Sequence, residues 1–166
     1  MTESYTVFSE GGDEYRLQFT TERSDIIAGH ILDRLLQDGI EVVEIALGRV
    51  SGTNVTSHRV LWQIEECIAE FMKRNPNAVL SYMCDFIYVV RSNMKSMTVQ
   101  EYRSRIFSAM FKRYVSQHHI VDIFDDEIKI DGVAESFYFH VIYHEEHALY
   151  AKMIAEGHHE DFDKPE

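Results

Sequence analysis

The stretch from Ala78 to Val90 restricts the fold of this chain more than any other feature of its sequence. It is almost entirely apolar and contains many β-branched and aromatic residues, a composition typical of a strand that is buried on both faces. It is too short for a membrane-spanning helix, which needs about 20 apolar residues. We therefore predict that this stretch forms one or two strands inside a sheet, with helices packed on it.

Two amphipathic segments are the candidates for those helices. From His58 to Arg74, apolar residues recur at helical spacing and occupy an arc of roughly 140°. Residues 98–101, Thr-Val-Gln-Glu, have the form of a capping box and predict a helix that runs to about Ser116. The apolar stripe of this second helix is predicted to comprise Val99, Tyr102, Ile106, Met110 and Tyr114.

The remaining elements follow from alternation, helical spacing and turn residues. They are a hairpin over 7–19, a helix over 25–37, strands over 40–50, 120–124, 127–130 and 133–143, and a helix over 144–156 that ends at Gly157. Asp131-Gly132 predicts a two-residue hairpin turn between the last two strands. The sequence thus predicts an α+β fold, an antiparallel sheet with three to four helices packed on it, in the approximate order ββαβαβαβββα. We assign residues 1–157 to a single domain and 158–166 to a polar C-terminal tail.

Charge is distributed unevenly along the chain. The net charge is −12, yet residues 91–119 hold six basic side chains against one acidic one, and residues 120–166 hold three against 13. The overall negative charge argues against nucleic-acid binding, because affinity for phosphates depends on positive potential. The N-terminus lacks the basic and then apolar order of a signal peptide, and no apolar run is long enough to span a membrane. We therefore expect a cytoplasmic protein without a membrane partner.

Motifs of known enzyme classes are missing from the sequence. There is no glycine-rich phosphate loop, no GxSxG, no HExxH and no paired CxxC, so we predict no cofactor, no bound metal and a non-enzymatic role. The preferred hypothesis is a non-catalytic interaction protein, a small acidic regulator, inhibitor or accessory factor. The alternative is a metal-dependent hydrolase or nuclease that uses the acidic strand Asp122–Lys129 and the C-terminal histidines. These histidines are His140, His144, His147, His158 and His159.

Three side chains are predicted to bind a protein partner. Trp62 lies about 100° from Leu61 on the helical wheel and therefore outside the apolar arc, and exposed tryptophan is enriched at binding hot spots. The alternative is that the N-terminal hairpin or the tail covers Trp62. Arg105 and Lys112 share the polar side of the second helix beside Glu101. The partner is either another protein or a second copy, since a two-fold dimer presents these cations to the acidic C-terminal third of the other copy.

Arg103 is predicted to form a structural ion pair. On the helical wheel it falls between Met110 and Tyr114, on the apolar face, and an inward guanidinium needs a carboxylate partner. Asp85, in the apolar run, is the candidate. We therefore predict an Arg103–Asp85 ion pair that fixes helix to sheet; the alternative is that Arg103 binds an anion in a cleft.

Two motifs also resemble those of a known family. Tyr82-Met83-Cys84-Asp85, followed by residues 103–107, Arg-Ser-Arg-Ile-Phe, is similar to the pattern of a family of small uncharacterised bacterial proteins. In that family a Tyr-x-Cys-Asp segment precedes an Arg-x-Arg-hydrophobic-Phe helix. The resemblance implies a cytosolic bacterial protein and strengthens the pairing of Asp85 with Arg103, but it implies no activity.

Overall fold

The computed structural model describes residues 2–21, 27–54, 57–84, 98–132 and 136–163. Within these ranges lie six strands, four α-helices and a short 3-10 helix at Glu145–His147. None of the described helices has the length and apolar character needed to span a bilayer. The elements are β1 (Thr2–Phe8), β2 (Glu14–Thr20), α1 (Gly29–Gln37), β3 (Glu41–Ser51), α2 (His58–Arg74), β4 (Ala78–Cys84), α3 (Val99–Gln117), β5 (Ile123–Asp131), β6 (Ser136–His144) and α4 (Ala148–Asp163).

The six strands form one sheet in the order β1-β2-β3-β4-β6-β5. β4 pairs with β3 on one side and β6 on the other, so the described part of the predicted Ala78–Val90 strand lies inside the sheet. Residues 85–90 lie outside the described ranges. The β3–β4 pair is parallel and the other described pairs are antiparallel. The predicted α+β class is confirmed.

Helices cover both faces of the sheet. α2 and α3 pack on one face, where Ile64, Phe71 and Phe107 share a core with Leu80 and Tyr82 of β4. This confirms the prediction that these two helices lie on the buried strand. α1 and α4 pack on the opposite face, where the core contains Ile31, Leu35, Val79, Phe139 and Ile154.

The ends of three helices follow from local side-chain chemistry. The hydroxyl of Ser57 accepts a hydrogen bond from Val60 N at 3.3 Å and begins α2. The hydroxyl of Thr98 accepts a hydrogen bond from Glu101 N at 3.2 Å and begins α3. Gly39, with φ of 77°, follows α1, because glycine adopts the left-handed conformation without steric cost.

The C-terminal elements differ from the prediction in two places. β5 runs without a break from Ile123 to Asp131 where two strands were predicted. Asp125 and Asp126 were predicted to lie between the two strands, but an edge strand tolerates charged residues. Asp131 pairs with Ser136, so four residues separate these paired positions and the predicted two-residue turn is wrong.

The predicted end of the last helix at Gly157 is also wrong, because α4 continues to Asp163. A Cβ atom at Gly157 would lie 1.7 Å from Cδ1 of Ile31 in α1. The glycine therefore marks a close approach between two helices. The helix thus enters the segment that we assigned to the tail, of which residues 164–166 lie outside the described ranges.

The buried face of α3 is rotated from the predicted stripe. Tyr102 and Ile106 are only half-buried, whereas Ser104, Phe107 and Phe111 are buried together with the correctly predicted Met110 and Tyr114. The reason is that α3 packs against α2 as well as against the sheet, so its buried arc is wider than one apolar stripe.

Candidate functional site

Alternation along the last two strands directs polar side chains toward α3. On β6, Tyr138 and Ile142 belong to the core beneath α2 and α3, and His140 lies between them with no exposed surface. On β5, Glu127 pairs directly with His140 across the two strands. Because side chains alternate between faces, Asp125 lies on the same side as Glu127. These polar groups come to lie under the middle of α3.

A chain of hydrogen bonds joins these groups to two serines of α3. His140 Nδ1 lies 2.9 Å from Asp125 Oδ1, and His140 Nε2 lies 2.7 Å from Ser104 Oγ. The Ser104 hydroxyl also contacts Oε2 of Glu127, and the Ser108 hydroxyl donates to Asp125 Oδ2 at 3.3 Å. We call these five residues the His140 cluster.

Glu65 of α2 is a further acid close to the His140 cluster. Only 2% of this residue is exposed, and its Oε2 atom has no hydrogen-bond partner among the residues that the structure describes. Burial, with a smaller contribution from the charge of Asp125, raises the pKa of Glu65 well above its ordinary value of 4.5. On α2, Glu65 lies on the same side as Trp62, outside the apolar arc. That side is buried because α3 packs on it.

A groove opens beside the cluster, between α3 and the edge strand β5. It has a volume of about 660 Å³. Arg105 and Lys112 lie on its α3 side, and Asp125, Asp126 and Glu127 lie on its β5 side. The structure thus brings together two of the three predicted partner-binding residues.

The charged groups of this groove differ in whether they are already paired. Asp125 contacts His140, Asp126 accepts a hydrogen bond from Tyr143 at 2.8 Å, and Glu127 accepts one from Ser104. Within the described residues, the only partner of Arg105 is Glu101, in an exposed helical pair at 3.0 Å. Lys112 is exposed and makes no ion pair or hydrogen bond within the ranges that the structure describes. The groove thus holds two cations and three carboxylates, and Lys112 is the cation that has no partner among the described residues.

The third predicted residue, Trp62, lies elsewhere. The centre of its ring lies 5.0 Å from that of Tyr114 in α3 and 5.6 Å from that of His118. The residue is half-buried. At 100° per residue, Tyr114 lies about 180° around α3 from Arg105. Trp62 is thus covered by α3, which we did not predict, and it does not line the groove. Its partner-binding role stays a prediction.

Arg103, near the N-terminal end of α3, is half-buried. Its guanidinium donates to the carbonyl oxygen of Leu47 at 3.2 Å and lies 5.7 Å from the centre of the Tyr82 ring. Asp85 lies outside the described residues, so the Arg103–Asp85 ion pair stays a prediction.

The acids and histidines of the hydrolase alternative are divided between several environments. Asp126 bonds to Tyr143, whereas Asp125 and Glu127 lie under α3. His144 Nε2 contacts the carbonyl oxygen of Met72 at 3.0 Å, and His147 is buried. Over the described ranges, no three His, Cys, Asp or Glu side chains come together in a way that could hold a metal ion. The side chains of 158–163 are not described.

The order Ser104–His140–Asp125 is that of a hydrolytic triad. Two features oppose this interpretation. Ser104 has no exposed surface, so a substrate carbonyl does not reach its oxygen in this conformation. Its hydroxyl also contacts Glu127, a carboxyl group with no place in that mechanism. The arrangement instead links four side chains in one series of hydrogen bonds.

Comparisons with protein-family models, with curated proteins and with solved structures found no match to this chain. The resemblance to a bacterial family of small proteins therefore stays a prediction.

Proposed function

We propose that the chain is a non-catalytic interaction protein that binds an acidic segment of a protein partner in the groove between α3 and β5. One observation carries this proposal. Each carboxylate of the groove has a hydrogen-bond partner within the chain, whereas Lys112 has none in the described part. Complementary charge is a general means by which interfaces select their partners.

The proposed partner is a different protein. The chain carries a net charge of −12, so two copies repel each other over most of their surface. A small regulator or accessory factor fits this behaviour, because it remains monomeric until it meets a partner with a complementary segment. A homodimer is the competing arrangement, and the experiment separates the two.

Binding of a fluorescently labelled oligoglutamate peptide tests the proposal directly. We expect the peptide to bind the wild type at low salt, and we expect Lys112→Glu to weaken binding about tenfold or more, since a charge reversal near the surface changes the Coulomb energy by more than 1 kcal/mol. Lys152→Glu is the matched control, because Lys152 lies on α4, is exposed, and is not part of the groove. Equal weakening by both variants would contradict a localised site.

Sedimentation of the wild type and of Lys112→Glu identifies the source of the acidic segment. We expect a monomer at all protein concentrations for both. A wild-type dimer that dissociates in Lys112→Glu would mean that a second copy occupies the groove, and the proposal of a different partner would then be wrong.

A further inference from the structure

The His140 cluster has more hydrogen-bonding contacts than a neutral imidazole, one hydroxyl and two ionised carboxyls can supply with hydrogens. Three contacts connect Asp125, His140, Ser104 and Glu127 in series, and each contact needs one hydrogen. Ser104 supplies one hydrogen and a neutral imidazole supplies one. With both carboxyls ionised, the third hydrogen is missing. The series is complete only when one of the titratable members holds an additional proton.

The extra hydrogen has more than one possible location. If Ser104 donates to Glu127, then Nε2 of His140 has to carry a hydrogen, and the ring is doubly protonated when Nδ1 donates to Asp125. If Ser104 donates to His140, then Glu127 has to be protonated. Rotation of the Ser104 hydroxyl interconverts these two arrangements, so the serine acts as a relay between the imidazole and the carboxyl group.

Among the four described members of the relay, Glu127 is the most exposed to solvent. His140 and Ser104 have no exposed surface and the Asp125 side chain is 5% exposed, whereas the Glu127 side chain is 37% exposed and borders the groove. A proton therefore enters or leaves through Glu127.

The other groups that surround the relay and its groove come from four elements. They are Asp126 on β5, Arg105, Lys112, Ser108 and Phe107 on α3, Tyr82 on β4, and Glu65 on α2. Carboxylates favour the added proton and the two cations oppose it. Since the cations lie at the groove, an acidic ligand that neutralises them removes this opposition.

We propose that Glu127, Ser104, His140 and Asp125 form a proton relay that regulates the groove, so that an acidic segment binds more tightly when the relay holds its third hydrogen. This rests on the proposed function, because the relay controls binding at the same groove. Proton uptake makes the groove less negative by one charge, and binding of an anion in turn favours proton uptake.

The isosteric variant Glu127→Gln keeps the series of hydrogen bonds complete but removes the titrating carboxyl group. The amide group of glutamine donates a hydrogen to Ser104, so Ser104 donates to His140 and the series is complete without a titrating proton. We expect the wild type to bind the oligoglutamate peptide about tenfold more tightly once the relay has gained its third hydrogen at lower pH than when it has lost this hydrogen at higher pH. We expect Glu127→Gln to lose most of this difference. Asp126→Asn is the matched control, since it removes a neighbouring charge and leaves the relay intact.

Nuclear magnetic resonance of the free protein provides a readout that does not depend on binding. Nitrogen shifts of His140 and carboxyl carbon shifts of Asp125 and Glu127 at pH 6 should show either a doubly protonated ring or one protonated carboxyl group. A singly protonated His140 with both carboxyls ionised would overturn the relay. If the relay is observed and no peptide binds, then the proposed function is wrong and the relay stands. Equal pH dependence of binding in wild type and Glu127→Gln would overturn the regulation.

Discussion

The two faces of the sheet achieve the same burial with different chemistry. Phe139 and His140 are neighbours on β6 and are 1% and 0% exposed, yet they point to opposite faces. Phe139 packs among apolar side chains of α1 and α4. His140 lies beneath α3 in a series of hydrogen bonds.

This difference determines what each face tolerates. An apolar contact loses energy roughly in proportion to the area removed, and neighbouring side chains adjust. A buried polar group loses most of its stabilisation when one partner is removed, because the remaining group is left unpaired. The face beneath α1 and α4 is therefore expected to accept apolar substitutions of similar volume, although not truncation. The face beneath α3 requires its particular hydrogen-bond partners.

Truncation on the apolar face should give the largest loss. Phe139→Ala is expected to lower the free energy of unfolding by about 4 kcal/mol, the usual cost of a large cavity in a packed core. Urea denaturation at pH 6 and pH 8 should give the same loss at both, since the side chain carries no titrating group. A loss below about 2 kcal/mol would mean that the face collapses around the cavity.

The same truncation one residue later tests the polar face. His140→Ala is expected to cost about 3 kcal/mol, because Asp125 and Ser104 are left without their buried partner. The double variant with Asp125→Ala should be less destabilised than the sum of the single variants by at least about 1 kcal/mol. Additive losses would show that the two side chains act independently.

Replacing Glu65 should make the polar face more stable. Glu65→Met, an apolar side chain of similar shape, is expected to raise stability by about 1–2 kcal/mol at pH 7, because it removes a buried oxygen without a partner. The gain should grow as pH rises from 4 to 8. The pKa of Glu65 is raised in the folded chain, so above about 4.5 the unfolded chain loses its proton first and wild-type stability falls. A gain independent of pH would contradict the shift.

Tyr143 provides a polar contact at the border of the apolar face. Burial, followed by its hydrogen bond to Asp126, raises the pKa of Tyr143 to about 12. Tyr143→Phe is expected to cost about 1 kcal/mol at pH 7. As pH rises from 10 toward 12, the Tyr143 phenol ionises first in the unfolded chain, so the stability of the wild type should fall. The difference in free energy of unfolding between wild type and Tyr143→Phe should therefore narrow. Denaturation at these pH values checks this, with ultraviolet titration of the phenol.

The smallest effect is expected at the surface. Arg105→Ala removes an exposed pair with Glu101 and should change stability by less than about 0.5 kcal/mol. The change in the free energy of peptide binding should be larger than the change in the free energy of unfolding. The reverse result would assign Arg105 a structural role.

Much of the fold was predictable because it depends on local patterns. Apolar spacing identified α2, the capping sequence at Thr98 identified α3, and the apolar run identified β4. Gly157 was misinterpreted because its close contact with Ile31 joins elements that are distant in sequence. A glycine that ends a helix and a glycine that lets two helices approach look the same in a sequence.

The His140 cluster was not predictable to the same extent. Asp125, Glu127 and His140 were noticed only as metal ligands or part of an acidic strand, because their meeting depends on the β5–β6 register. Ser104 and Glu65 were missed altogether. A signal existed in Ser104, a small polar residue among the aromatic residues of α3, but only the packing of α2 against α3 shows that Glu65 faces inward.

The pairing of β4 with β6 also bears on the order of folding. These strands pair although α3 and β5 lie between them in the chain, and pairing across so long a separation is entropically costly. The β5–β6 hairpin with α3 above it can form earlier from contacts closer in sequence. All five residues of the His140 cluster belong to that contiguous segment, so its hydrogen bonds are expected to form before the N-terminal half docks. Glu65 is then expected to be buried when α2 docks on α3, and this last step excludes water from the His140 cluster.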